Sequence, residues 1–274
     1  MNKTKIDYLD YTWNPISMRC TPVSDGCENC WHLGTNKRFD LHSGPPVIRE
    51  KELMSPLKLK KPSIIGVQFM GDLFHEDVSF NIIDRVFATI SMCPKHTFLL
   101  LTKRIERANK YYSGQSPIYG RASIAFSGLM KHENFVSGMK AYRNMENEPL
   151  QNIWIGVSCE NQQTAEERIP ALLQTPALKR VVSIEPMLGE IDISCFLNAW
   201  HECSYNVEKI DCVIVGCESG PKRRPCKVEW IESIVDQCKT ASVPCYVKQM
   251  EIGGKVCHDI NKFPKHLIIR EYPK

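Results

Sequence analysis

Several features that would assign this chain to a broad class are missing from its sequence. No stretch approaches the roughly 20 apolar residues that a membrane-spanning helix needs, so we expect no transmembrane segment. The first residues, MNKTKIDYLDYTWN, contain no apolar core of a secretory signal, so we expect no signal peptide and a cytoplasmic location. No internal repeat or low-complexity tract is present, which argues against a repeat architecture.

A large excess of charge of one sign is also missing. The 35 basic and 31 acidic residues give a net charge of +4, which permits a nucleic-acid or nucleotide partner without specifying one. Hydrophobic residues at 43% and charged residues at 24% are typical of a globular protein. A chain of 274 residues can form one large domain or two small ones, and α/β barrels commonly reach this size as single domains.

Cysteine, in contrast, is abundant. The chain has 13 cysteines, an odd number without a regular disulfide framework, which predicts a reducing cytosol and mostly free thiols. Three of them, Cys20, Cys27 and Cys30, lie in the run CTPVSDGCENCWH with the spacing C-x6-C-x2-C. We expect most of the remaining cysteines to be buried as small hydrophobic residues.

The three clustered cysteines have three interpretations. Cys27 and Cys30 can chelate one centre, and residues 22–26 form a loop short enough to fold Cys20 back onto it. An iron–sulfur cluster normally takes four cysteine ligands, so three would leave one iron open to a small molecule. Alternatively, His32 would complete a closed Cys₃His zinc knuckle. Chance clustering is the third interpretation, and spacing alone leaves all three open.

Short apolar runs alternate with helical segments along most of the chain. This alternation predicts an α/β fold with a parallel sheet and right-handed crossovers, either a closed or partial (β/α) TIM-like barrel or an open doubly wound sheet. We expect a single domain over residues 1–274, with residues 111–151 as an insertion or lid that has its own helix at 134–143. The predicted strands are 8–13, 63–70, 97–101, 153–157, 180–184, 212–215 and 244–247, and the predicted helices are 80–91, 164–174 and 228–239.

Polar and ionisable side chains follow almost every predicted strand at the point where it ends. The carboxyl ends of parallel strands form the face where barrels and open α/β sheets bind ligands. Solvent exposure alone explains any single polar strand end, whereas a series of them indicates a shared cavity. If the first strand is 8–13, the cysteine loop leaves from the same face, which favours a catalytic cluster over a zinc knuckle. The residues concerned are Gly71, Asp72, Lys103, Arg104, Ser158, Glu160, Asn161, Glu185, Glu218 and Lys248.

Two further clusters are weaker candidates. His75, Glu76 and Asp77 include metal-ligand residue types, but adjacent residues point in different directions. The basic run at 222–224 follows a Gly-Pro pair and is suited to gripping a phosphate or a carboxylate, or to lying in a solvated loop.

A set of motifs from about residue 12 to residue 250 resembles a known family. The motifs are TWNPISMRCTPVSDGCENCW, MGDLFHEDV, LLLTKR, IWIGVSCENQ, VVSIEPMLGEID, VIVGCESGPKRRP and PCYVKQM. Together they are similar to an uncharacterised, phage-associated three-cysteine-motif family that resembles radical S-adenosylmethionine (SAM) enzymes, particularly the spore photoproduct lyase group. The usual radical SAM signature is C-x3-C-x2-C, and this chain departs from it with six residues in the first gap.

The resemblance implies a radical SAM-type barrel with a [4Fe–4S] cluster and SAM as cofactors. The cluster would sit on Cys20, Cys27 and Cys30, with SAM on the open iron. The pair Gly71 and Asp72 would hold the methionine amino group of SAM. Contacts to its ribose would come from Ser158, Glu160 and Asn161.

The chemistry implied is reductive and needs an electron donor as partner. Reduced cluster and SAM would generate a 5′-deoxyadenosyl radical that abstracts hydrogen from a substrate, which we expect to be a nucleic-acid base or nucleotide. Candidates for positioning substrate charges or moving a proton are Lys103, Arg104, Glu185, Glu218 and Lys248. Two rival functions are a zinc-stabilised barrel hydrolase or lyase that uses residues 75–77, and a nucleic-acid-binding module built on a Cys₃His zinc knuckle.

Overall fold

The computed structural model describes residues 1–39, 44–113, 150–197 and 208–273. The chain divides into two compact units that are interleaved in sequence. The first unit comprises Met1–Thr21, Thr35–Ile155 and Thr175–Leu178, and the second comprises Pro22–Gly34, Gly156–Gln174 and Lys179–Lys274. Most of the predicted insertion at 111–151, including its helix at 134–143, lies outside the described residues.

The first unit is built on a sheet whose strands follow the order β1-β2-β5-β6-β7. Strands β2, β5 and β6 pair in parallel, and β1 pairs antiparallel to β2 at the edge. A separate antiparallel pair joins β3 to β4. The strands are β1 (Asn2–Lys3), β2 (Tyr11–Trp13), β3 (Ile16–Ser17), β4 (Val47–Ile48), β5 (Ile64–Val67), β6 (Thr97–Thr102) and residues 153–155 of β7 (Ile153–Ser158).

Helix α3 (Phe80–Ser91) shows how the sequence builds the first unit. The Ser79 side chain accepts a hydrogen bond from the Ile82 backbone N–H and so caps the helix N-terminus. Apolar residues recur at helical spacing and bury one stripe of the helix, including Ile83, Val86 and Phe87. The other helices of this unit are α2 (Glu50–Leu53), α4 (Ile105–Tyr112) and the last part of α1 (Trp31–Phe39).

The second unit has the strand order β7-β8-β9-β10-β11. Strand β9 pairs in parallel with both β8 and β10, and β11 pairs antiparallel to β10. Strand β9 is buried over its whole length, as expected for a parallel strand covered on both faces. The elements are residues 156–158 of β7, α5 (Gln162–Leu173), β8 (Lys179–Ile184), α6 (Ser194–Leu197), β9 (Cys212–Gly216), α7 (Val228–Thr240), β10 (Cys245–Ile252) and β11 (Lys255–Cys257).

Helix α5 begins two residues earlier than predicted, at Gln162 rather than at residue 164. Asn161 is the N-cap, and it forms a reciprocal capping box with Thr164. The start of the helix is therefore set by side-chain capping at Asn161.

The prediction of an α/β fold with a largely parallel sheet is confirmed by these pairings. Among the residues that the structure describes, no helix is long and apolar enough to cross a membrane.

Candidate functional site

The three cysteines of the motif are distributed over the two units. Cys20 belongs to the first unit, whereas Cys27 and Cys30 belong to the second. Cys27 ends a short 3-10 helix, Asp25–Cys27, and its carbonyl accepts the Cys30 backbone N–H at 3.2 Å. All three thiols are reduced and half-buried.

The other cysteines differ from these three in burial. Of those in the described ranges, Cys195 is exposed and Cys257 is half-buried, and all are free thiols. Burial raises the pKa of Cys217 and of Cys226 to about 12, which keeps both protonated and inert. The fully buried cysteines are Cys93, Cys159, Cys212, Cys217, Cys226, Cys238 and Cys245.

In the first unit, Arg104 binds the residue that follows Cys20. Its Nη2 donates to the Thr21 carbonyl at 2.9 Å and to the Thr21 hydroxyl at 3.0 Å. The same guanidinium forms ion pairs with Asp72 at 3.4 Å and with Glu76 at 2.9 Å. We call Thr21, Asp72, Glu76, Thr102 and Arg104 the Arg104 network. It fixes the chain beside Cys20 by holding the backbone of Thr21.

Asp72 is the buried centre of the Arg104 network. One carboxylate oxygen accepts the Thr102 hydroxyl at 2.8 Å, and the other accepts the Lys103 backbone N–H at 3.0 Å. The preceding Gly71 has φ of +141°, and a Cβ there would lie 2.9 Å from the Met18 sulfur, so only glycine fits. The contacts of Asp72 thus hold the end of β6, where Lys103 and Arg104 lie.

Electrostatics in the Arg104 network favour a charged arginine and a neutral histidine. Burial alone would lower the pKa of Arg104, but Asp72, the Cys20 thiol and Glu76 outweigh it and raise that pKa. Burial, assisted by the charge of Arg104, lowers the pKa of His75. The His75 Nε2 lies 2.9 Å from the Thr21 hydroxyl, so this imidazole also braces Thr21.

In the second unit, Arg224 binds the turn that carries Cys27. Its Nη2 donates to Glu218 at 2.6 Å and to the Asp25 carbonyl at 3.0 Å, and its Nη1 donates to Glu28 at 3.0 Å. Glu218 also accepts the Asn29 side-chain amide at 3.1 Å. We call Asp25, Glu28, Asn29, Glu218 and Arg224 the Arg224 network. Arg224, in the basic run at 222–224, thus pairs with a carboxylate of the chain itself, and the gripping of a phosphate or carboxylate by this run stays a prediction.

The Arg224 network keeps Glu218 ionised. Burial alone would raise the pKa of Glu218, but hydrogen bonds from Arg224 and Asn29 outweigh it and lower that pKa. The pKa of Arg224 is raised by its hydrogen bonds to Glu218, against a smaller opposing effect of burial. The pair therefore stays doubly charged at neutral pH.

Glu160 binds the same turn from another side. It is fully buried, its Oε1 accepts the Gly26 backbone N–H at 3.4 Å, and its Oε2 pairs with Arg168 at 3.1 Å. Arg168 also donates to the Ser158 carbonyl at 2.5 Å. Asn161 caps α5 through its side-chain oxygen. The side chains of Glu160 and Asn161, predicted as ribose contacts, thus have structural partners within this unit, and the ribose role stays a prediction.

Glu185 and Lys248 form a second polar group of this unit, after β8 and within β10. Their side chains pair at 2.9 Å and are 12% and 22% exposed. A Cβ on Gly216, in the intervening strand β9, would lie 2.8 Å from the Glu185 carboxylate. Glycine at 216 therefore makes room for this carboxylate, and the pair stays partly open to solvent.

His32 is the residue that the zinc interpretation requires as a fourth ligand. His32 is buried, stacks edge-on against Trp31 with ring centroids 5.8 Å apart, and has a pKa lowered by burial. Within the described ranges, no three or more His, Cys, Asp and Glu side chains are gathered in a geometry that could hold a metal ion. The described residues include the candidate cluster at 75–77.

The sequence did not single out several residues that hold the motif. These residues are Thr21, which binds Arg104, Asn29, which binds Glu218, and Arg168, which binds Glu160. The partners are separated by between 8 and 189 positions in sequence. Glu28, an acidic residue inside the motif, was the one local signal for an arginine partner.

Comparisons with known proteins place the chain in a family without assigning a role to it. Neither the curated proteins nor the solved structures contain a match. Residues 3–271 match the model of a family described as a protein of unknown function, DUF5131, and the chain belongs to that family.

Proposed function

We propose that this chain is an iron–sulfur enzyme of the radical SAM type. A [4Fe–4S] cluster would be held by Cys20, Cys27 and Cys30, with SAM at the iron that the three cysteines leave open. The proposal includes a single (β/α) domain whose strands close partly or fully into a barrel, and a cytoplasmic location.

The observation that carries the proposal is how the motif is held. The buried Arg104, the half-buried Arg224 and the buried Glu160 hold the backbone next to the cysteines, at the Thr21 carbonyl, the Asp25 carbonyl and the Gly26 N–H. The three motif thiols are free and half-buried, whereas Cys93, Cys159, Cys212, Cys217, Cys226, Cys238 and Cys245 are buried. Charged side chains that fix the backbone near accessible cysteine thiols make this motif suited to binding a thiophilic metal group.

The donor set fits such a group chemically, and the ligands would close around it as it binds. Thiolate sulfur is the ligand that iron–sulfur clusters use, and metal ligation is commonly coupled to local rearrangement of the ligands.

The residues outside the motif fall into two proposed roles. When bound, the cluster with SAM would supply a radical that abstracts hydrogen from the substrate. Arg104 and Glu218 would act as positioning residues, because their hydrogen bonds go to the cysteine loop. Glu185 and Lys248 remain candidates for orienting substrate charge or moving a proton, because the pair is partly open to solvent. Lys103, next to Arg104 in sequence, is likewise a candidate for orienting substrate charge or moving a proton.

A nucleic-acid base or nucleotide is the proposed substrate, and an electron donor is the proposed partner. The net charge of +4 agrees with a polyanionic substrate, and the proposed chemistry requires one electron for each SAM cleaved.

Structural zinc is the second candidate, and it is favoured by His32. This imidazole is buried two residues after Cys30, and burial lowers its pKa, which favours the neutral form that binds zinc. In that case the chain would be a zinc-stabilised hydrolase or lyase, or a nucleic-acid-binding module.

Anaerobic purification followed by metal and sulfide analysis tests the proposal. We expect a brown protein that absorbs near ~400 nm, contains iron and sulfide, and yields 5′-deoxyadenosine with dithionite and SAM. Cys27→Ala should abolish the colour and the product, whereas Cys257→Ala, at a half-buried thiol outside the motif, should keep both. A colourless wild type with one bound zinc that is lost in His32→Ala would refute the radical proposal.

A further inference from the structure

We infer that Arg224 is a positioning residue that sets the backbone of the Cys27 turn before any metal binds. The effect of Arg224 on iron binding rests on the proposed function, whereas its effect on the turn does not. The conformation of the turn is a property of the metal-free chain and can be measured without a cluster.

The anchors of this turn lie on both sides of Cys27 in sequence. Before it, Arg224 holds the Asp25 carbonyl at 3.0 Å and Glu160 holds the Gly26 N–H at 3.4 Å. After it, the Asn29 side chain donates to Glu218 at 3.1 Å and to the Lys222 carbonyl at 2.9 Å. Anchors on both sides restrict the backbone of Cys27.

Among the described side chains that anchor this turn, Arg224 contacts both the stretch before Cys27 and a partner of the stretch after it. The Arg224 guanidinium donates to the Asp25 carbonyl. Three N–H groups of Arg224 donate to Glu218: the backbone amide at 2.7 Å and the side-chain Nε and Nη2. Glu218 in turn accepts the Asn29 amide. A planar fork with several fixed donors makes such a set of contacts, whereas a lysine ammonium is a point charge that cannot reproduce it.

The burial of the partners separates the contacts that matter from those that do not. The Glu218 side chain is 6% exposed, so removing its arginine leaves a buried carboxylate without its main charge partner. The Glu28 side chain is 71% exposed, and solvent-screened pairs of this kind contribute little. Glu28→Gln is therefore a matched control that removes the charge from one exposed partner of the same guanidinium.

The first measurement uses metal-free protein under reducing conditions. Alkylation of Cys27 and Cys30 by iodoacetamide is followed by peptide mass spectrometry in wild type, Arg224→Lys, Arg224→Gln and Glu28→Gln. We expect both Arg224 variants to react about tenfold faster at these two thiols, since charge-assisted hydrogen bonds oppose local opening by at least that factor. Glu28→Gln and the reference thiol Cys257 should keep the wild-type rate.

The second measurement uses anaerobic reconstitution with iron and sulfide, with thermal unfolding of each variant as a check on folding. We expect the Arg224 variants to retain the global transition but to bind less iron and to show an altered electron paramagnetic resonance spectrum. Equal alkylation rates in wild type and Arg224→Lys would overturn the positioning role. Wild type that takes up no iron, together with faster alkylation of the variants, would keep that role and refute the iron–sulfur proposal.

Discussion

The Arg104 and Arg224 networks hold parts of the same motif with the same device but in different surroundings. In each, an arginine is ion-paired to a carboxylate that is almost fully buried, Asp72 in one case and Glu218 in the other. In each, it donates to a carbonyl beside a cysteine. The arginine side chains differ, because Arg104 is 5% exposed and Arg224 is 28% exposed.

This difference predicts different consequences for stability. The Arg104 network also holds Thr102 and the start of α4 through Asp72, so it belongs to the frame of the first unit. Among the residues that the structure describes, the contacts of the Arg224 network join the loop after β9 to the short turn at residues 25–29. The first should therefore govern global unfolding, and the second should govern local opening.

Arg104→Gln should have the largest effect. The change leaves Asp72 buried without its charge partner, and we expect the free energy of unfolding to fall by about 3 kcal/mol, as is typical when one member of a buried pair is removed. Urea unfolding followed by circular dichroism measures this loss. Arg85→Gln is the control, because Arg85 pairs with the exposed Glu50 and should change stability by less than about 1 kcal/mol. Equal losses in the two variants would show that the Arg104 network is not part of the frame.

Glu218→Gln should have a smaller effect on stability. The amide keeps the shape of the carboxylate and one acceptor oxygen, so we expect a loss of about 1.5–2 kcal/mol, the lower part of the range for a hydrogen bond to a charged group. The same urea titration measures it. Hydrogen exchange at Gly26 and Cys27 should rise more than exchange in β9, because the local closing equilibrium is weakened more than global stability. A loss as large as that of Arg104→Gln would contradict the contrast between the networks.

The elements that the sequence predicted well are those with a strong local signal. The helix at 80–91 was predicted with its observed bounds, because an apolar stripe marks it and Pro94 follows it. The buried strands β6 and β9 were each predicted to within one residue, because each is a continuous apolar run. Helix α4 was missed, since it is short and mostly polar.

The networks were only partly predictable, because their contacts are not local. Arg104 and Glu218 were singled out as polar strand ends, which was correct as to position. Several of their partners lie far away in sequence, as Asn29 does from Glu218 at a separation of 189 positions, and no periodicity indicates such a pair. Asn161 shows the reverse case, because its position at a strand end suggested a ligand contact while its side chain caps a helix.

The pH dependence of stability should distinguish the two networks with the smallest effect of the three. Burial and the charge of Arg104 lower the pKa of His75, against the opposing charges of Glu76, Asp77 and Asp72. The unfolded chain therefore binds more protons than the folded chain below about pH 6.5, so this part of the stability is complete above that pH and is lost as the pH falls. Glu218, whose pKa is lowered from an already acidic value, loses its contribution only at more acidic pH.

His75→Gln should accordingly reduce the fall in unfolding free energy between pH 7.5 and pH 5, whereas Glu218→Gln should leave that slope unchanged. Urea unfolding of the metal-free protein at several pH values in this window provides the comparison. The His75 Nδ1 accepts the Asp77 backbone N–H at 3.2 Å, so protonation there removes this hydrogen bond and adds a positive charge near Arg104. Acid therefore acts on the Arg104 network through His75. An unchanged slope in His75→Gln, or a flattened one in Glu218→Gln, would show that the two networks do not respond separately to acid.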